Sequence, residues 1–221
     1  MNTLKDLRTP ALILRRTNYG EADRILNLIT PKGKISAIAK GVRKEKSKLA
    51  GGIEMFSLSD LTIHLGKSEL GTITSARMTT YYSNILNNLE SIELASKILK
   101  QINSAAETIE SPAFFNLTND SLSALNNYLN PTLIETWFHL NLNKLLGSEL
   151  NLYRDINGEK LQPEKIYLYD STENAFVEHP AGNFNANDIK LLRLMLTSPL
   201  PVVSRVKNLD TYLPKIHNIM V

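Results

Sequence analysis

PALILRRTNYGEADRILNLITPKGKISAIAK, residues 10–40, decides the fold class. Pro10 opens the apolar run Ala11-Leu12-Ile13-Leu14, Arg15-Arg16 follow, and Asn18-Tyr19-Gly20 is a turn signal. Arg24 to Thr30 is a second strand candidate, and Pro31-Lys32-Gly33 a tight connection. Residues 34–40 then read as a third strand, whose more apolar face carries Ile35, Ala37 and Ala39, with Ile38 on the other. Further on, Ile53 to Leu65 alternates Leu61, Ile63 and Leu65 with Thr62 and His64. Gly66-Lys67-Ser68 turns the chain, and Leu70 to Ala76 is the last strand. Five short strands separated by turns predict a small closed or partly closed barrel over residues 1–80.

After that the period changes. From Ser83, a plausible N-cap, apolar residues fall at Ile85, Leu89, Ile92, Ala95, Leu99 and Ile102, a helical stripe. Ser111-Pro112 and Asn130-Pro131 each set a cap residue before Pro at the first helical position. The second pair opens a helix with Leu133, Ile134, Trp137, Phe138, Leu140 and Leu145 inward and Gly147 near its end. Residues 151–184 are polar and irregular, with strand-like pieces at Lys165–Tyr169 and Ala175–Val177. Asn185 to Thr197 is helical again, stopped by Pro199 and Pro201, and the tail predicts one more short helix. The fold class is therefore α+β: a five-stranded barrel over 1–80, then a helical domain over 81–221.

Composition narrows the chemistry. With 221 residues and no Cys, the chain excludes a disulfide framework, thiolate-bound zinc, iron–sulfur clusters and a Cys nucleophile. No run approaches the roughly 18 apolar residues of a membrane helix, and Met1 to Pro10 lacks the pattern of a secretory signal, so a soluble, cytoplasmic protein is expected. Gly66-Lys67-Ser68 is not a phosphate-binding loop, because position 61 is Leu and the triplet lies between two strands. His64, His139, His179 and His217 show no metal-ligand spacing, and Glu135 one turn before His139 reads as a structural or surface contact. Gly51-Gly52 lacks a dinucleotide fingerprint, and no Ser stands in a nucleophile elbow. Catalytic residues, cofactors and metals are thus expected to be none, and a binding protein is favoured over an enzyme.

The net charge of +3 hides an asymmetry. Residues 1–80 hold 14 Lys+Arg against 7 Asp+Glu, whereas residues 81–221 hold 11 against 15. A polyanion is drawn to the first part and repelled by the second. Lys40, Arg43, Lys44, Lys46 and Lys48 form the densest cluster, with one acid, Glu45, among them and glycines on both sides. Two readings stand: a solvated charged loop, or a mobile loop that neutralises successive phosphates. The barrel context favours the second. Lys34 and Lys40 are six apart and fall on one sheet face, and Arg15, Arg16 and Arg24 widen the patch if the barrel gathers them. Aromatic stacking partners are few. Phe56 reads as core; Tyr19 reads either as a base-stacking residue or as a half-exposed turn tyrosine. Contacts to phosphates, with little sequence preference, are expected.

The blocks from Ala11 to Leu26, Thr30 to Ile35, Ala39 to Arg43 and Leu49 to Gly52, followed by Phe56, Leu58, Leu61, Gly66, Leu70 and Thr72 to Arg77, resemble the start of the RecO family of bacterial DNA repair and recombination mediators. The helical remainder resembles that family only in layout. The resemblance implies an N-terminal OB-fold, binding to single- and double-stranded DNA, annealing of complementary strands, and cytoplasmic, nucleoid-associated work. It implies RecR and the acidic C-terminal tail of single-stranded DNA-binding protein (SSB) as partners, with the recombinase RecA served indirectly and no membrane involved. The family's basic surface carries over to Lys34, Lys40 and Arg43, and more loosely to Lys44, Lys46 and Lys48. A rival reading of the same charge pattern is an OB-fold RNA-binding or ribosome-associated factor. Many members of the family also carry a four-Cys zinc site in the C-terminal half. Residues 151–185 have no Cys, and His179 alone does not replace four thiolates, so packing must hold this segment and it is expected to be the least stable part.

Overall fold

The computed structural model describes residues 5–66 and 70–220. Five strands, β1 (Lys5–Tyr19), β2 (Asp23–Thr30), β3 (Gly33–Ala39), β4 (Ser57–Leu65) and β5 (Gly71–Tyr81), close into a barrel in the order β1-β2-β3-β5-β4. All neighbours are antiparallel except β3 and β5, which pair in parallel at Ala37 with Gly71 and Ile38 with Thr72. This closed five-strand order is that of the OB-fold. The expected turn at Gly66-Lys67-Ser68 lies, for Lys67 and Ser68, outside the described residues.

The strands close because their inward positions are small or branched and apolar. Ala11, Ile13, Leu26, Leu28, Ala37, Ala39, Leu61, Ile63 and Ile73 form one buried cluster, with Val42 and Ile53 added from the loop after β3. The run Ala11-Leu12-Ile13-Leu14 is buried on both faces. Ala11 and Ile13 point into the barrel, and a bulge between Ile13 and Arg15 shifts the register with β2. The other face of β1 meets α1 (Leu89–Ala105) and α2 (Ala113–Asn126), and α2 also reaches β2. Gly52 is required by close approach, since a Cβ there would stand 2.6 Å from the backbone of Ala76 on β5.

The chain separates into two compact units, Met1–Asn127 and Tyr128–Val221, so α1 and α2 belong with the barrel. The change from strands to helices near residue 80 is thus not the limit of the first unit. Ser83 is not a helix cap. It opens a single 3-10 turn, Ser83–Asn87, and α1 starts one turn later, where the Asn88 side chain accepts the Glu90 N–H at 2.9 Å. Leu89 of the expected stripe is accordingly exposed, and Leu94, Ala95, Ile98, Leu99 and Ile102 are the residues buried on α1. Tyr82 fastens the end of β5 to α2 by donating its hydroxyl to Asn119 Oδ1 at 2.7 Å. Burial first, and then the Asp120 charge, raise the Tyr82 phenol to about 12.

The second unit contains α3 (Pro131–Leu145), the hairpin β6 (Tyr167–Asp170) and β7 (Ala175–Glu178), α4 (Ala186–Thr197), the short α5 (Leu200–Val203) and α6 (Leu209–His217). Asn130 caps α3 as its position before Pro131 predicts, accepting the N–H of Thr132 and Leu133. Asn185 and Asp188 form a reciprocal capping box on α4. Glu135 of α3 stands 4.0 Å from His139 within the same helix and 3.7 Å from His217, while Thr136 contacts His217 at 3.0 Å, so Glu135 and Thr136 join α3 to α6 through His217. Among the described residues no group of three or more His, Asp or Glu is placed to hold a metal ion, and no helix is long and apolar enough to cross a membrane.

Rings hold the Cys-free segment. Phe176 on β7 is fully buried and meets Phe184 and Tyr169 edge-on, at centroid distances of 5.2 and 5.9 Å. Edge-to-face contacts of this kind add to the area they bury. Emptying that position removes the centre of the cluster. Phe176→Ala is expected to cost about 3–5 kcal/mol of unfolding free energy in a urea titration. A chelator is expected to leave the wild-type melting temperature unchanged, and a chelator-induced fall would show that a metal contributes.

Candidate nucleic-acid interface

The loop after β3 is stapled to the turn after β1. Gly41 adopts φ 63°, a left-handed conformation that glycine takes without penalty, and its N–H donates to Asp23 Oδ1 at 2.6 Å. The Arg43 N–H donates to the Ala22 carbonyl at 2.8 Å. The Arg43 guanidinium donates to the carbonyls of Gly20, at 2.8 Å, and Glu21. Val42 enters the barrel core, and at the far end of the loop Leu49, Ala50 and Ile53 pack against the same core. The expectation of a mobile loop is corrected: residues 40–52 form consecutive tight turns anchored at both ends, with Lys44 N–H bonded to Gly41 O, Ser47 N–H to Lys44 O and Gly52 N–H to Leu49 O.

This staple sets which cations face solvent. Lys40, Lys44, Lys46 and Lys48 are exposed and make no ion pair among the described residues. Arg43 is exposed too, but its guanidinium is committed to the turn. Tyr19, 56% exposed, closes β1 beside that turn, and Arg24 at the start of β2 donates to Asn18 Oδ1 at 3.2 Å. Tyr19, Arg24, Lys40, Arg43 and Lys44 are thus gathered around one end of the barrel, and Lys46 and Lys48 continue from it along the loop.

Three expected members behave differently. Lys34 does not share a surface with Lys40. β3 ends at Ala39, so strand alternation no longer governs Lys40, and the face of Lys34 is covered by α1. The Lys34 ammonium donates to the Asn103 carbonyl and to Glu107 Oε1, both at 2.8 Å, and its side chain is only 12% exposed. Ser36 and Asn27 on the same face are bonded to each other, and Asn27 to Asn103, so this side of the barrel is fastened to the helix. Arg16 donates to Glu54 Oε2 at 2.8 Å and to the Ile53 carbonyl, which ties the loop's far end to β1. Arg15 lies on the opposite face of β1 from Arg16, opposite Asn27 in the register, and is exposed. No long-range pairing of this kind is visible in the sequence. The one signal pointing to the helix as a neighbour was the double-sided apolar run 11–14.

On the other side of the barrel, the outer face of β4 and β5 carries two ion pairs, with Arg8 of β1 exposed beside them. Arg77 pairs with Asp60 at 3.0 Å, and His64 stands 2.9 Å from Asp6. The densest run of unpaired cations among the described residues therefore lies on the loop.

Comparison with known proteins agrees with this architecture. The family model described as Recombination protein O N terminal matches residues 1–82, and that described as Recombination protein O C terminal matches residues 87–218. The DNA repair protein RecO of Dehalococcoides mccartyi (strain CBDB1) is 31% identical over 210 residues, which are 91% of this chain and 83% of the relative. The DNA repair protein RecO of Roseiflexus sp. (strain RS-1) is 32% identical over 208 residues, 90% of this chain and 73% of the relative. The likeness thus extends through the helical part, where motifs alone gave only a similar layout.

The Lys34–Glu107 tether predicts a pH dependence. The Lys34 hydrogen bond, and then its charge, hold the Glu107 carboxyl below the usual carboxylate range. Because the folded value is depressed, the contribution is present above the unfolded carboxylate value and is lost as the pH falls through the folded one. In a carboxyl chemical-shift titration, Lys34→Gln is expected to return Glu107 to the ordinary range. Equal midpoints in wild type and variant would show that the contact does not form in solution.

Proposed function

The chain belongs to the RecO family, whose work is DNA repair and recombination, and on that premise we propose that the cationic end of its barrel grips the sugar–phosphate backbone of DNA. The observation that carries this reading is the staple between Asp23, Gly41 and Arg43, which holds a row of unpaired lysines beside the exposed Tyr19 and the half-buried Arg24. Lys40, Lys44, Lys46 and Lys48 supply point charges that displace condensed counterions, and Arg43 adds its charge while it holds the turn. Phosphates are common to every sequence and to both strand types, so single- and double-stranded DNA are both ligands, with little sequence preference. Tyr19 offers a ring on which an unpaired base stacks.

Annealing follows from the same electrostatics. Two complementary strands repel through their phosphates, and a cationic surface that holds one strand lowers the repulsion met by the second. The role is one of binding, with no covalent step. Within the family's setting, the protein acts with RecR on DNA coated by SSB, whose acidic tail it contacts, and so prepares the strand for RecA.

The test is a salt-resolved binding titration. If about 5 phosphates of a single strand are neutralised, log affinity against log salt falls with a slope near −3.5. Changing Lys44, Lys46 and Lys48 together to Ala is expected to flatten the slope to about −1.4 and to slow annealing. Arg43 is left in place because it holds the fold. An unchanged slope would remove the loop from the interface.

A further inference from the structure

The OB-fold face made by strands 2 and 3 is the usual seat of an oligonucleotide, but here Asn27, Lys34 and Ser36 on that face are engaged with α1 or with each other. A strand held at the loop therefore needs another way along the unit. A groove of about 520 Å³ runs between β1 and α1. Leu14 and Leu99, both buried, and Met55 form its apolar lining, and Arg15 and Lys100 are its cations. Both cations are exposed, and neither has a hydrogen bond or ion pair among the described residues. The one carboxylate in the lining, Glu107, is already held by Lys34 at 2.8 Å. The groove is thus electropositive although it is built in part by residues from the net-acidic stretch after residue 80. It also continues from the loop: Met55 follows Ile53 and Glu54, the two residues that Arg16 binds.

We propose that the groove between β1 and α1 is a second contact for single-stranded DNA, in which Arg15 and Lys100 hold one backbone phosphate and its base lies on Met55, with the buried Leu14 and Leu99 forming the floor beneath. Two cations without partners match a phosphate, and an apolar lining beside them matches the face of an unpaired base. Thioether and branched side chains accept any base face, so the contact is sequence-tolerant. In a duplex the base faces are covered by stacking, so this contact favours single strands where the loop does not discriminate. The proposal rests on the loop binding DNA, and adds a site on the helix that the loop reading does not contain.

The experiment uses the full chain with labelled oligo-dT and a duplex of equal length. Arg15→Gln with Lys100→Gln is expected to lower affinity for oligo-dT about tenfold and to reduce the single-strand salt slope by about 0.7, one phosphate's share. Duplex affinity is expected to stay within about twofold. Because the natural chain has no Cys, Ser96→Cys in the groove lining gives a single attachment point for a photo-crosslinker. Its crosslink to oligo-dT is expected to exceed that from Asn116→Cys, an exposed position of α2 outside the lining. Unchanged single-strand affinity and slope, or a crosslink from Ser96→Cys no stronger than the control, would overturn the groove site. If the loop variants lose binding while the groove variant does not, the groove fails and the loop reading stands; if neither set changes binding, both fall.

Discussion

The Asp23 carboxylate accepts the Gly41 N–H at 2.6 Å, and the arrangement of the basic end of the barrel depends on that contact. A charged acceptor on a backbone donor is among the stronger hydrogen bonds, with a net contribution of about 1.5–3 kcal/mol. It turns the chain immediately after β3, where Gly41 tolerates the left-handed backbone. Val42 is then directed into the core and Arg43 back over the first turn. The carbonyls of Gly20, Glu21 and Ala22 are satisfied by the loop rather than by water. The cluster of five cations divides as a result. Arg43, with a planar fork of donors, holds carbonyls, and the lysines, whose ammonium groups have no such partners, face solvent.

Charge by position therefore matters more than charge by count. Residues 1–80 carry a surplus of seven cations, yet among those cations Lys34 is engaged by Glu107, from beyond that stretch, and Arg16 by Glu54, distant in sequence but within it. Both pairs act as tethers, one from β3 to the end of α1 and one from β1 to the end of the loop. The net-acidic remainder in turn brings Lys100 to the barrel's flank. Halving the chain by sequence finds the stretch that holds the cationic surplus, but it does not show which of those cations are engaged, because α1 and Glu107 just after it belong to the same compact unit as the barrel.

What was legible followed from short-range periodicity. Alternation in β3 and β4 placed Ala37, Ala39, Leu61 and Ile63 inside, and Asn130-Pro131 marked the start of α3. β1 was legible only in its apolar middle. Its first half carries Asp6 and Arg8, and a bulge after Ile13 interrupts the alternation, so the period-two signal that identifies a strand is lost at both ends. The parallel closure of β3 on β5 leaves no local mark, because the partners are over thirty residues apart in sequence. At the site, the row of lysines was visible as composition. The withdrawal of Lys34 was not, because it depends on a helix some seventy residues away. Ser83 misled for a related reason: either a 3-10 turn or an α-helix can follow such a residue, and Asn88 offers the better cap once the turn has formed.

Residues 151–185 show how a segment without thiolates or a hydrophobic period acquires a fixed shape. A metal knuckle organises its turns by binding side chains to one centre. Here the turns are organised locally, by acceptors that each collect two backbone donors. Asn151 Oδ1 accepts the N–H of Tyr153 and Arg154, and Asp155 Oδ1 accepts those of Asn157 and Glu159. Arg193 of α4 then closes on the Leu152 carbonyl at 2.6 and 3.0 Å while its guanidinium lies 4.7 Å from the centre of the Tyr153 ring. Phe176 and Phe184 fill the interior that these turns surround. Each device meets a requirement that the sequence presents only as polar residues between two helices, namely that backbone groups taken from water find partners and that the space between them be filled. Local acceptors and two phenyl rings meet both requirements in this segment.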